Sequence, residues 1–318
     1  IISVGKGPMQ IAITPNGDYA YVTNQNDHTV SVIRTSDNVV IITISVGSHP
    51  QGIAVTPDGS KVYVGGDPLS VIRTSDNTEI DTVSLGLNSS GVAITPNGNF
   101  VYVTNTAANN MLVIGTSDNT VVDSIPVGAT PTLVAVTPDG SYVYVTKWSD
   151  DYVKMIRTSD NSVVDTFAVG DNPFSIAISP DGGYVYVGSL VDDMVSVIRT
   201  SDNDVVNTIS VGDEPHGIAV TPDGNYAYVG GNPLSVIRTS DNTVVDTVCV
   251  SDLTYGVAVT PDGNYVYVAN FSDDTVSVIE SYTAAEDGGN GQSDGSEDGG
   301  SGQSDSGGGG GCFIDIAI

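Results

Sequence analysis

Positive charge is scarce in this chain: nine Lys and Arg stand against 38 Asp and Glu, for a formal net charge of −29 at pH 7. So few cations exclude a nucleic-acid binder, because nothing is present to neutralise phosphates and release their counterions. The same balance disfavours docking on bare anionic lipid and favours solubility and attraction of cations. Cysteine is almost absent, and the two present, Cys249 and Cys312, do not make a disulfide framework. No run of eighteen apolar residues occurs, so no segment reads as a membrane-spanning helix. No stretch carries a convincing 3.6-residue apolar period, which sets helical repeats aside.

What the chain has in abundance is repetition. One motif recurs seven times, marked by the T/S-P-(D/N)-G prolines Pro15, Pro57, Pro96, Pro138, Pro180, Pro222 and Pro261, spaced 42, 39, 42, 42, 42 and 39 residues apart. A fixed period in this range signals a repeat architecture. Each copy holds four short segments rich in Val, Ile, Thr and Tyr; in the second copy they are expected over 52–56, 61–65, 69–74 and 78–85. Turn chemistry separates them. Pro57-Asp58-Gly59 supplies a preset φ and then a residue free to take positive φ, and Ser75-Asp76-Asn77 supplies side chains that bond their own backbone. Four antiparallel strands per unit describe a propeller blade. The expected fold is all-β, a seven-bladed β-propeller with four antiparallel strands per blade.

The seventh copy stops after three strands, ending near Glu280, while Ile1-Ile2-Ser3-Val4-Gly5 matches the fourth strand Thr208-Ile209-Ser210-Val211-Gly212. The N-terminal segment is therefore expected to complete the last blade and leave no long unpaired edge. A chain that begins inside a strand also suggests that a leader or a cloning boundary lies just before residue 1. The domain reading is a propeller over 1–280, an acidic Gly/Ser-rich linker over 281–311 and a short apolar segment over 312–318. The linker repeats Glu-Asp-Gly-Gly and Gln-Ser-Asp, is too polar to bury a core, and reaches roughly 30 Å.

Comparing the copies separates scaffold from variation. An Ala recurs in every first strand, from Ala12 to Ala258, where blades converge on the axis; a Tyr recurs in every second strand, from Tyr21 to Tyr267, and reads as interblade packing with its hydroxyl paired at an edge. Arg34, Arg73, Arg157, Arg199 and Arg238 share one slot and should pair with a nearby turn aspartate. Cys249 replaces a recurrent Ser and reads as an inert strand residue.

Tyr21-Val22-Thr23-Asn24 and Tyr102-Val103-Thr104-Asn105 carry the signature of the YVTN-repeat β-propellers, which this chain resembles over 1–280. The resemblance is to archaeal surface-layer and cell-surface proteins, and implies an extracellular or cell-surface location. The wider family also includes lactonase-like propellers. The poly-Gly tract followed by Cys312-Phe313-Ile314 resembles the start of a CFI-box C-terminal segment, with Asp315 a departure, and makes Cys312 a candidate for envelope attachment.

The two recurrent turns share one face of such a ring, and the variable loops gather on the other, where binding function usually sits. There the residues leading into the first strands form a ring around the channel mouth: Met9, Gln51, Ser90, Thr132, Phe174, His216 and Tyr255. Trp148 and Phe271 in neighbouring loops join them as candidates for protein or cell-surface glycan contact. His49, His216 and Glu214 have the donor types of a metal site, but on blades that are not adjacent. Paired aspartates such as Asp150-Asp151, Asp192-Asp193 and Asp273-Asp274 are candidate Ca²⁺ ligands without EF-hand spacing. Asn88 and Asn270 head N-glycosylation sequons.

Two functions compete. A hydrolase of the lactonase kind should show acids, bases or metal ligands converging on neighbouring blades. The mouth ring has one His and no carboxylate, and no nucleophile motif, phosphate loop or cofactor signature is present. The expectation is therefore a non-enzymatic module of protein interaction, adhesion or envelope structure, with no cofactor, and the lactonase-like hydrolase as the alternative.

Overall fold

The structure, a computed structural model, describes residues 1–86, 89–251 and 253–283. Cys312, Asn88, residues 284–311 of the expected linker and the 312–318 segment lie outside them. Twenty-eight strands, β1 to β28 in chain order, form seven four-stranded antiparallel sheets among the described residues. Blade 1 is β2 (Pro8–Ile13), β3 (Tyr19–Asn24), β4 (Thr29–Arg34) and β5 (Val39–Ser45), and blades 2 to 6 repeat that order. Blade 7 joins β26 (Thr254–Val259), β27 (Tyr265–Asn270) and β28 (Thr275–Glu280) to β1 (Ile2–Ser3), with Ile2 opposite Val276 and Ser3 opposite Thr275. The ring is closed by its own beginning, as the sequence predicts.

The turns behave as their chemistry requires. Gly59 takes φ +71 and donates its N–H to the Thr56 carbonyl at 2.8 Å, while the Thr56 hydroxyl donates to Asp58 at 2.6 Å. In the second recurrent turn Asn77 takes φ +55, the left-handed region that Asn tolerates. A register shift in the outer strand pair of every blade but the seventh adds local twist.

The core lies between blades, in seven clusters that each draw on two neighbours. One joins Tyr63, Leu69 and Val71 of blade 2 to Val92, Val101 and Val103 of blade 3; the closing cluster joins Ile2, Tyr267 and Val276 to Ile11 and Val22. Each second-strand Tyr is essentially buried and most donate their hydroxyl to the turn Asn of the next blade: Tyr21 to Asn77, Tyr63 to Asn119, Tyr102 to Asn161, Tyr144 to Asn203, Tyr267 to Asn38. The same Asn reaches back through its amide, as Asn119 does to Asp81 at 2.8 Å. At blade 6 the incoming blade has no such turn. There the Tyr228 hydroxyl accepts the Tyr282 N–H at 2.5 Å and the Tyr282 ring packs 5.1 Å from Tyr226. Residues 281–283 thus stay on the propeller, three residues past the expected boundary. Cys249 sits one residue past its strand rather than within it.

All five arginines pair with the turn aspartate three residues on, at 2.5 to 3.0 Å and half exposed, so each pair adds little to stability. They do shape the pH response. Hydrogen bonds from Arg73 and Thr78 bring the Asp76 carboxyl down to about 2, and Arg238 and Thr243 do the same for Asp241. A carboxyl depressed in the folded state contributes stability above its unfolded value and loses it as pH falls through the folded one. Burial pushes Tyr21, Tyr63, Tyr102, Tyr144 and Tyr186 up to about 12, so their contribution is present below the unfolded value and lost as pH rises through the folded one. Melting temperature should therefore hold level across neutral pH, fall from about pH 4 toward 2, and fall again from about 10 toward 12. Scanning calorimetry across that range checks both limbs.

Candidate functional site

The face opposite the recurrent turns is built by a bulge and a latch. In every blade except the second, the register between first and second strands slips at the head of the first strand; in blade 1, Pro8 opposes Asn24 and the next pair is Ile11 with Val22. The slipped residues include Met9, Ser90, Thr132, Phe174, His216 and Tyr255, so the mouth residues are aimed by the kind of bulge that commonly re-aims side chains beside sites. The Thr of the YVTN motif fills the gap: Thr23 accepts the Gln10 N–H at 3.0 Å and donates to the Gln51 carbonyl of blade 2 at 2.8 Å. Thr104 bonds the Thr132 carbonyl and Thr146 the Phe174 carbonyl in the same way.

The latch lies in loops read from sequence as variable. His28, Asn109, Asp151, Asp193 and Asp274 all take positive φ, and each accepts a backbone N–H from the loop leading into the next blade. The donors are His49, Thr130, Asn172, Glu214 and Gly7, at 2.8 to 3.2 Å. The recurrence of Asp, Asn or His at the last position of this turn was the available signal. Of the paired aspartates expected as Ca²⁺ ligands, Asp151, Asp192, Asp193 and Asp274 accept backbone N–H groups, while Asp150 pairs with Lys147 and Asp273 accepts from the Ser251 hydroxyl. Among the described residues no three His, Cys, Asp or Glu side chains come together to hold a metal. His49 meets His28, with ring centroids 4.9 Å apart, whereas His216 packs against Phe174 and Tyr255.

The seven mouth residues divide into two arcs. On blades 2 to 4 the lining is polar: Gln51, Ser90 with its hydroxyl 3.0 Å from Thr106 Oγ1, and buried Thr132 bonded to Thr146. On blades 5 to 7 it is aromatic. Phe174 lies 5.3 Å from the His216 ring, His216 4.2 Å from Tyr255, and Tyr255 5.1 Å from Phe271. Buried Met9 follows on blade 1. Trp148 stands apart from this wall, exposed at the rim of blade 4. Asn270 cannot serve as the expected glycosylation site: it is 1% exposed and its amide donates to Thr275 and Ser277.

His216 is the chemical centre of the aromatic arc. Its Nδ1 lies 2.9 Å from the Glu214 carbonyl oxygen, which can only accept, so the proton sits on Nδ1 and Nε2 keeps its lone pair. No hydrogen bond from the described residues occupies Nε2. Burial holds the imidazole below its usual range, against the opposing pull of Glu214, so it is neutral at pH 7. Burial also raises the Tyr255 hydroxyl, with Glu214 adding to the effect, so Tyr255 keeps its proton and remains a donor. A neutral base and a phenol donor, their rings in contact at a 40° tilt among other aromatic rings, are the parts of a proton-transfer site.

Clefts also open on the turn face. One of about 690 Å³ between blades 6 and 7 is lined by Tyr226, Tyr265, Glu280 and Tyr282. Grooves of about 200 to 520 Å³ recur in the same place between other blades, so this is a property of the repeat, enlarged where blade 7 lacks its turn.

A seven-bladed ring with a histidine-centred aromatic arc at its channel mouth is the class this molecule defines. Residues 2–165 match the family described as lactonase, 7-bladed beta-propeller, and the chain belongs to that family. A solved structure, Kuenenia stuttgartiensis hydrazine synthase, aligns with TM-score 0.80 at 23% identity over 88% of this chain and 97% of that one; at that identity the likeness shows the fold alone. No curated protein matches in sequence. The family match overturns the non-enzymatic expectation and points to a hydrolase. The expectation rested on the scarcity of acids, bases and metal ligands at the mouth, a count of side chains that leaves backbone partners such as the Glu214 carbonyl out of view.

Proposed function

We propose that the protein hydrolyses a lactone or related cyclic ester at the channel mouth, with His216 as general base. The observation that carries this reading is the carbonyl-locked tautomer of His216, neutral and with Nε2 unengaged inside an aromatic wall, in a chain of the lactonase family. In the proposed step, Nε2 takes a proton from water as the water oxygen attacks the ester carbonyl carbon. The Tyr255 hydroxyl donates to the oxyanion that forms. The ring C–O bond then breaks, and the proton held on Nε2 passes to the released alkoxide, giving a hydroxy acid.

The test is His216→Asn, which keeps a side-chain N–H for the Glu214 carbonyl but has no base at the Nε2 position. Against a panel of aliphatic and aryl lactones the variant should lose about 10²-fold or more of kcat/KM with little change in melting temperature. Because burial lowers the imidazole value, the acid limb of the wild-type pH profile should lie below about 6.5. Absence of turnover by the wild type on every lactone, or full activity in His216→Asn, would overturn the assignment.

A further inference from the structure

Blade 4 breaks a pattern that blades 1 and 7 keep. At the top of those blades an Asn ending the second strand donates its amide to a Thr and a Ser on the third: Asn24 to Thr29 and Ser31 at 3.0 and 2.9 Å, Asn270 to Thr275 and Ser277 at 3.0 and 2.8 Å. Each trio is neutral and uses both amide N–H groups of its Asn, whose buried Oδ1 has no hydrogen bond among the described residues. In blade 4 the same three positions are Lys147, Tyr152 and Lys154. Lys147 lies directly opposite Tyr152 in the ladder, and Lys154 is two residues along the same strand, so all three share one face.

The two ammonium groups converge. A Cβ built on Gly128, at the start of the incoming loop, would fall 2.9 Å from Lys147 Nζ and 3.9 Å from Lys154 Nζ. The Lys147 side chain is only 7% exposed and has one carboxylate partner, Asp150, itself 39% exposed. Of the other seven cations, the five arginines pair within their turns, the Lys61 ammonium donates to the Thr116 carbonyl, and Lys6 is exposed to water. Here two like charges face a single carboxylate and repel each other in a partly desolvated place, which is why the Lys154 amine is pulled down by burial and by Lys147. Replacing an uncharged, internally bonded trio by two like charges weakens the fold locally. A ligand that brings a second negative charge relieves it.

We infer that Lys147 and Lys154 form a carboxylate-binding site on blade 4, with the exposed rings of Tyr152 and Trp148 at its rim taking the planar or ring-shaped body of the ligand. An aryl acid or a sugar acid has that chemistry: one carboxylate for the ammonium pair and one face to stack. The site is separate from the His216 wall, since Lys147 packs toward the blade 3 side and Phe174 and His216 belong to blades 5 and 6.

The experiment is calorimetric titration at constant ionic strength with benzoate, glucuronate and inorganic phosphate, on the wild type, Lys154→Ser, and the double variant Lys147→Asn with Lys154→Ser. At least one carboxylate should bind the wild type, and each variant should bind it at least about tenfold more weakly. The double variant, which restores the blade 1 residues at both positions, should melt higher than the wild type without ligand. Binding by phosphate and by neither carboxylate would overturn the ligand assignment. Equal binding by wild type and variants, or none by any probe, would overturn the site, as would a fall in melting temperature for the folded double variant.

Discussion

Removing residues 1–4 should lower stability by about 3–5 kcal/mol, roughly 10 °C in melting temperature for a ring of this size, and should make the protein associate as its concentration rises. Ile2 is 8% exposed and packs in a cluster with Val276, Tyr267, Ala269 and Ile11, so its loss alone is worth about 1.5–3 kcal/mol. The Val4 N–H bond to the Asp274 carbonyl and the pairing of Ser3 with Thr275 go with it. What remains is a bare edge along β28, a template for pairing with another chain. A synthetic peptide of sequence Ile-Ile-Ser-Val-Gly added in excess should recover much of the lost melting temperature. If the truncated protein melts unchanged, the ring does not depend on its first strand.

The substitution Gly217→Ala should cost about 3 kcal/mol and should also disturb the site, although the backbone there is compatible with alanine. A Cβ at 217 would stand 2.0 Å from the Tyr255 carbonyl oxygen and 3.1 Å from the Val257 nitrogen, both main-chain atoms of the next blade. Neither can swing aside as a side chain does, so blade 7 must shift and carry Tyr255 away from His216. Gly224→Ala is the contrast. That residue sits at φ +75 with its nearest neighbour, Pro180 Cδ, 3.7 Å from the added carbon, so its cost is conformational strain of about 1–2 kcal/mol in a distant turn. Thermal melts should show both losses, whereas lactone turnover should fall only in Gly217→Ala. Equal turnover in the two variants would refute close approach at the axis as the support of the aromatic wall.

Repetition explains which features could be read ahead of the structure. The Tyr at 21, 63, 102, 144, 186, 228 and 267, the Arg–Asp turns and the match of residues 1–5 to a fourth strand are each written several times over, so chance similarity averages out. Second-copy strands came out one or two residues shorter at their ends, as at Ile53–Val55 against 52–56, because the flanking Gly and Thr bond into turns and bulges. The site was harder. Phe174, His216 and Tyr255 were recognisable as mouth residues, but their value comes from a backbone oxygen two residues before His216 and from ring contacts across three blades, which spacing does not encode. Lys147 and Lys154 stand out once the Asn–Thr–Ser trio is seen to be bonded to itself, and that bonding is visible only in three dimensions.

The tyrosine handclasps run around the ring in one direction, and one hand is empty. The Tyr186 hydroxyl of blade 5 has no such partner, and its counterpart on blade 6, Asn242, has a buried Oδ1 without a hydrogen bond. Phe174 and His216 flank that same joint on the opposite face. A hoop with one loose rivet should yield there first, and hydrogen exchange would then be fastest at the joint that Phe174 and His216 flank.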